Sequence, residues 1–94
     1  MRMRKKPNLL PRMEKCAQVL LTEPEAYFGR WRDAIPGFSQ FHVELGCGKG
    51  RFTAETAQNA PEVLLVAIEK VPDAMVVAME RVCALGLTNA RFMD

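Results

Sequence analysis

The chain has 94 residues, 49% hydrophobic and 26% charged, with a formal net charge of +2. That composition describes one small globular domain and excludes fibrous, low-complexity and disordered chains. The longest apolar run, Val63 to Ile68, is far too short to cross a bilayer, and three cysteines without a C-x-x-C pair, beside one histidine, exclude a disulfide framework and a usual zinc centre.

The chain opens on a basic arm. Arg2, Arg4, Lys5, Lys6, Arg12 and Lys15 stand against a single acid, Glu14, in the first 15 residues, so the rest is slightly acidic. Such an arm attracts phosphates of any polyanion, or serves only solubility. No apolar signal segment follows it, and the cysteines read as reduced thiols, so a cytoplasmic protein without metal is expected. Residues 1–11 contain two prolines and are expected to be extended. Met13, Cys16, Ala17, Leu20 and Leu21 have helical spacing, predicting a helix over 12–21. Tyr27, Phe28 and Trp31 form an aromatic cluster that either anchors this segment to the core or stacks on a base. Turn chemistry at Asp33 to Phe38 closes an N-terminal extension, residues 1–40.

Residues 41–94 alternate strand and helix. Phe41, Val43 and Leu45 alternate with His42 and Glu44, predicting a strand. A glycine loop leads into a helix over 51–60, with Phe52, Thr56, Ala57 and Ala60 on its apolar face and Pro61 as its stop. "VLLVAIE" reads as a strand buried on both faces. Pro72 and Asp73 suit a helix start; Met75, Ala78, Met79, Val82 and Leu85 form its stripe, and Gly86 its cap. "NARFMD" begins a third strand. The order predicts a parallel β-α-β-α-β sheet with right-handed crossovers, half of a doubly wound α/β fold.

The loop "ELGCGKG" sits where such folds bind ligands, at the strand ends beside a helix N-terminus. Gly46 permits the tight turn, Gly48 a close backbone approach, and Gly50 close packing at the helix start. The dinucleotide fingerprint wants glycine at 51, where this chain has Arg51. Glu44, at the loop mouth, would repel a pyrophosphate by roughly 4 kcal/mol at 4 Å and intermediate dielectric. It suits a cationic ligand, and S-adenosylmethionine carries both a sulfonium and an ammonium. Glu69 ends the second strand 19 residues after Gly50, where an acid accepts adenosine ribose hydroxyls; alternatively it is a surface acid beside Lys70. Cys47, in the loop near a helix start, is placed where a thiolate would be favoured, or is only a small turn residue. Lys49 either meets a carboxylate or phosphate or points to solvent.

"MRMRKKPNLLPRMEK", "ELGCGKGRFTAETA" and "VAIEKVPDAMVVAMERV" together resemble the N-terminal part of the bacterial tRNA (guanine-N7-)-methyltransferases, across essentially the whole chain. The resemblance implies a class I, Rossmann-like methyltransferase fold over residues 41–94 and S-adenosylmethionine as methyl donor. Glu44 would lie near its methionine end, Gly46, Gly48 and Gly50 beneath it, and Glu69 at its ribose. It also implies tRNA as partner, with Arg2, Arg4, Lys5, Lys6 and Arg12 on its phosphates. Family members run to about twice this length, a full domain of ~200 residues. Their catalytic aspartate follows a fourth strand, so no catalytic residue is assigned here and Asp94 stays without a role. With the family's strand order 3-2-1-4-5, strand one is expected to be a bare apolar edge, and this chain alone to bind cofactor weakly and not to methylate. Another class I methyltransferase, or a non-catalytic nucleotide- or RNA-binding module, is the alternative; Arg51 and Glu44 disfavour a nicotinamide dehydrogenase.

Overall fold

The structure is a computed structural model that describes residues 9–27 and 29–93. Arg2, Arg4, Lys5, Lys6, Phe28 and Asp94 lie outside the described residues. Three strands, β1 (Gln40–Leu45), β2 (Val63–Ile68) and β3 (Ala90–Met93), form one parallel sheet in the order β1-β2-β3. Between them run α3 (Arg51–Asn59) and α4 (Pro72–Ala84), preceded by α1 (Leu9–Lys15) and the short α2 (Trp31–Ala34). This is the predicted α/β architecture, a parallel β-α-β-α-β sheet of doubly wound type. Right-handed crossovers that both step toward β3 put α3 and α4 on one face of the sheet. That face is closed by Ala54 and Ala57 of α3, Met75, Ala78, Met79 and Val82 of α4, and Ala67, Ala90 and Phe92 of the sheet.

The N-terminal residues close the rest. Arg12 forms a bidentate pair with Glu80, its Nε donating at 2.8 Å, which lays α1 along α4. A 3-10 turn, Ala17–Val19, follows, and Leu20 makes a parallel bridge with Phe92 while the Leu21 N–H donates to the Phe92 carbonyl at 2.8 Å. The predicted helix over 12–21 is thus displaced: it starts at Leu9 and ends at Lys15. Pro11 fits because first-turn N–H groups have no intrahelical acceptor. Leu20 and Leu21 leave the helix because the open edge of β3 offers them backbone partners. Beyond that edge the chain covers the second face, where Leu21, Tyr27, Trp31, Ile35 and Phe38 pack on Leu64, Val66 and Met93. Trp31 stacks between Tyr27 and Phe41, at centroid distances of 5.3 and 4.5 Å, so it anchors this segment rather than waiting for a base.

Two expected faces shift. On α3 the buried residues are Thr53, Ala54 and Ala57, while Phe52 is 67% exposed. Small side chains face inward because α3 begins at Gly50, directly against α4. On α4 the stripe closes at Val82 and includes Val76, and Leu85 is exposed. Gly86 does cap this helix: at φ +66° its N–H reaches Cys83 O at 3.0 Å and the Leu87 N–H reaches Val82 O at 3.2 Å, a Schellman closure.

Candidate functional site

The carboxyl ends of β1 and β2 bring the predicted residues together. The Gly46 N–H extends the ladder to Ile68 O at 2.7 Å, and the chain then turns through Cys47 to Gly50, whose N–H returns to Cys47 O at 3.0 Å. Gly46 and Gly48 have φ of +71° and +55°, and a Cβ on either would meet nothing within 4 Å. The backbone there faces open space, while the Gly46 and Gly48 amides are themselves engaged, by Ile68 O and by the Glu69 carboxylate. Gly50 is different: a Cβ would lie 2.5 Å from Ala78 Cβ, so this glycine lets α4 press against the start of α3. From α4, the Arg81 Nε donates to Lys49 O at 3.2 Å and fixes the loop from behind.

Both acids are engaged. Glu69 accepts the Gly48 N–H at 2.7 Å on one oxygen and the Val71 N–H at 3.1 Å on the other, clamping the glycine loop to the turn before α4. A carboxylate has about four acceptor sites, so lone pairs remain for a ligand. Glu44, on the face toward the helices, accepts the hydroxyl of Thr53 from the first turn of α3. Sequence reasoning missed Thr53; its signal was a polar side chain nine residues after Glu44, at the start of the helix that the loop feeds. The Val71 amide had no sequence signal.

Cys47 reports the field between them. Burial first, then the charges of Glu69 and Glu44, push its thiol up to about 11. Of the two readings of Cys47, this field goes with the small turn residue and against the thiolate: desolvation and two carboxylates outweigh the helix dipole. Two negative groups near one turn make a site that disfavours an anion at that point and suits a cation. Arg12 of the basic arm is held by Glu80 and half-buried with it, so its guanidinium is committed within the fold. Among the described residues no His, Cys, Asp or Glu cluster could hold a metal ion, and no helix is long and apolar enough to cross a membrane. A separate hollow, lined by Trp31, Ile35, Phe38, Phe41 and Leu64, lies at the opposite, amino-terminal end of the sheet and lacks the carboxylates.

A parallel α/β sheet with a glycine turn after β1 and acids at the ends of β1 and β2 is the architecture of the class I methyltransferases. The chain belongs to the methyltransferase family described as "Putative methyltransferase", whose family model matches residues 39–94. Among curated proteins it is similar to a tRNA (guanine-N(7)-)-methyltransferase of Geobacillus kaustophilus, 34% identical over all 94 residues and 43% of that protein's length. Proteins of the same name from Geobacillus thermodenitrificans and Listeria monocytogenes are 33% and 29% identical, each covered over 44% of its length. The chain thus spans less than half the length of the curated relatives it matches.

Proposed function

We propose that the site holds S-adenosylmethionine as the cofactor-binding portion of a tRNA (guanine-N7-)-methyltransferase. The observation that carries this reading is the pair of strand-end carboxylates around a glycine turn with open space at Gly46 and Gly48. In this reading Gly46, Gly48 and Gly50 shape the floor, with Gly50 acting through Ala78. Glu44, steadied by Thr53, faces the ammonium at the methionine end. Glu69 meets the ribose hydroxyls while keeping Gly48 in place. Bound there, the cofactor supplies an electrophilic methyl on a sulfonium.

Guanine N7 has an in-plane lone pair, so its attack needs no strong base, and the protein contributes positioning and placement of charge. No described residue is assigned as catalytic. Arg2, Arg4, Lys5 and Lys6 are proposed to meet tRNA phosphates, and the surplus of basic residues in the first 15 positions supports them. Two-dimensional NMR of the labelled chain, titrated with S-adenosylhomocysteine and separately with NAD, tests the cofactor reading at weak affinity. Shifts confined to the amides of residues 44–50 and 69–71 with the first ligand, and none there with NAD, are expected. Equal shifts with NAD would sink it.

A further inference from the structure

We propose that Cys16 and Cys83 form an oxidisable dithiol, which a hydroperoxide converts to an intramolecular disulfide tying the N-terminal segment to α4. Neither thiol belongs to the cofactor site, and no residue of β1 or of the glycine loop takes part. Two contacts place the pair. On α1, Arg12 is bonded to Glu80 of α4. In the 3-10 turn that follows, the Gln18 side-chain amide donates to the Cys83 Sγ at 3.3 Å. Cys16 stands between Arg12 and Gln18, so these contacts bracket it and set it against the last turn of α4. There its side chain is buried in the core cluster on which Cys83 packs, and the two thiols interact directly. All three cysteines are free thiols; Cys47 is directed elsewhere, its Sγ donating to Gly48 O at 3.6 Å.

Exposure sets the order of events. Cys16 is buried at 5% exposure while Cys83 is only half-buried, so a small hydroperoxide meets Cys83 first. Burial, and then the contact with Cys16, push the Cys83 thiol up to about 11, which makes this first step slow at neutral pH. In it the Cys83 sulfur attacks one peroxide oxygen. The S–O bond forms, the O–O bond breaks, and the thiol proton leaves on the departing oxygen as water or an alcohol. The Cys16 sulfur then attacks that of Cys83: the S–S bond forms, the S–O bond breaks, and the hydroxyl leaves with the Cys16 proton as water. The two thiols are oxidised and the peroxide is reduced, with no further reagent. Contact makes the second step intramolecular, so Cys16 needs no access of its own. The product adds a covalent tie beside the Arg12–Glu80 pair.

Hydrogen peroxide added to the reduced, folded chain, followed by alkylation in denaturant and peptide mapping, tests this. The expected product has lost two hydrogen atoms, and its Cys16 peptide is linked to its Cys83 peptide. Cys47 should be recovered alkylated, and dithiothreitol should restore all three thiols. Cys83→Ser should lose the link outright, and Cys47→Ser should keep it. The same treatment in concentrated urea provides the comparison that needs no variant. Along an unfolded chain Cys47 is nearer to each of the others than they are to one another, so loop closure favours links to Cys47 there. A folded chain whose thiols stay free, or whose Cys83 is recovered as an unlinked oxyacid, overturns the proposal. So does a link to Cys47 in the folded chain, or a Cys16–Cys83 link that forms as readily in urea.

Discussion

Gly50 meets two demands at once, a left-handed φ of +79° and contact with Ala78, whereas Gly46 meets only the first. Gly50→Ala must therefore both strain the backbone and push α4 away, and is expected to cost about 2–4 kcal/mol in denaturant unfolding. Gly46→Ala, with open space around its Cβ, should cost about 1 kcal/mol. A smaller loss for Gly50→Ala than for Gly46→Ala would contradict the packing described. Cys47 gives a second residue-scale test. With its thiol pushed up to about 11 by burial and then by Glu69 and Glu44, alkylation in the folded chain should be slow at neutral pH. Its rate should climb until about pH 11, and removing the Glu69 charge as Glu69→Gln should move that climb to lower pH.

At the scale of elements, Asn89 joins three segments: its side-chain amide donates to Ala57 O, Ala60 O and Val63 O, each at 3.0 Å, in the buried corner where α3 ends and β2 begins. Asn89→Ala removes this donor from the Ala57 and Val63 carbonyls, while Ala60 O keeps the Val63 N–H, and is expected to cost about 2–3 kcal/mol. Arg12→Ala, removing a half-exposed ion pair, should cost less than Asn89→Ala. The two together rank α3–β2 closure above α1 docking, and thermal unfolding of both variants checks the order. Nothing in the sequence marked Asn89, because its acceptors come from residues 26–32 positions away. β2, β3 and α4 were legible because their periodicity is their burial: Val63 to Ala67 is an apolar run and is buried throughout. The face of α3 was not, since the large Phe52 outweighed Thr53 and Ala54 on hydrophobicity, although close contact with α4 admits only small side chains. The early helix was misplaced because its end is set by a backbone bridge from Leu20 to Phe92, far along the chain. In the site, Glu44, Gly46, Gly48, Gly50 and Glu69 were readable from loop spacing, while the hydroxyl of Thr53 and the amide of Val71 depend on the fold.

For the whole molecule, Cys47 and Cys83 tie stability to alkaline pH. Burial is the leading cause raising both to about 11, so the fold binds thiol protons that the unfolded chain releases earlier. The stability they contribute is fully present below the ordinary thiol range and is lost as pH rises through about 11. The unfolding temperature should fall over that window, less steeply in Cys47→Ser. The central claim is that the two acids divide the cofactor between them, and it is tested most directly by titrating two ligands into three proteins. S-adenosylhomocysteine has both a ribose and an amino acid end; 5′-methylthioadenosine has only the ribose. Affinities for the unaltered chain, Glu44→Gln and Glu69→Gln, read by NMR, should show Glu44→Gln weakening S-adenosylhomocysteine alone, roughly tenfold for a lost charge-assisted contact. Glu69→Gln should weaken both ligands. Equal losses for both ligands in Glu44→Gln, or none in either variant, would contradict the account.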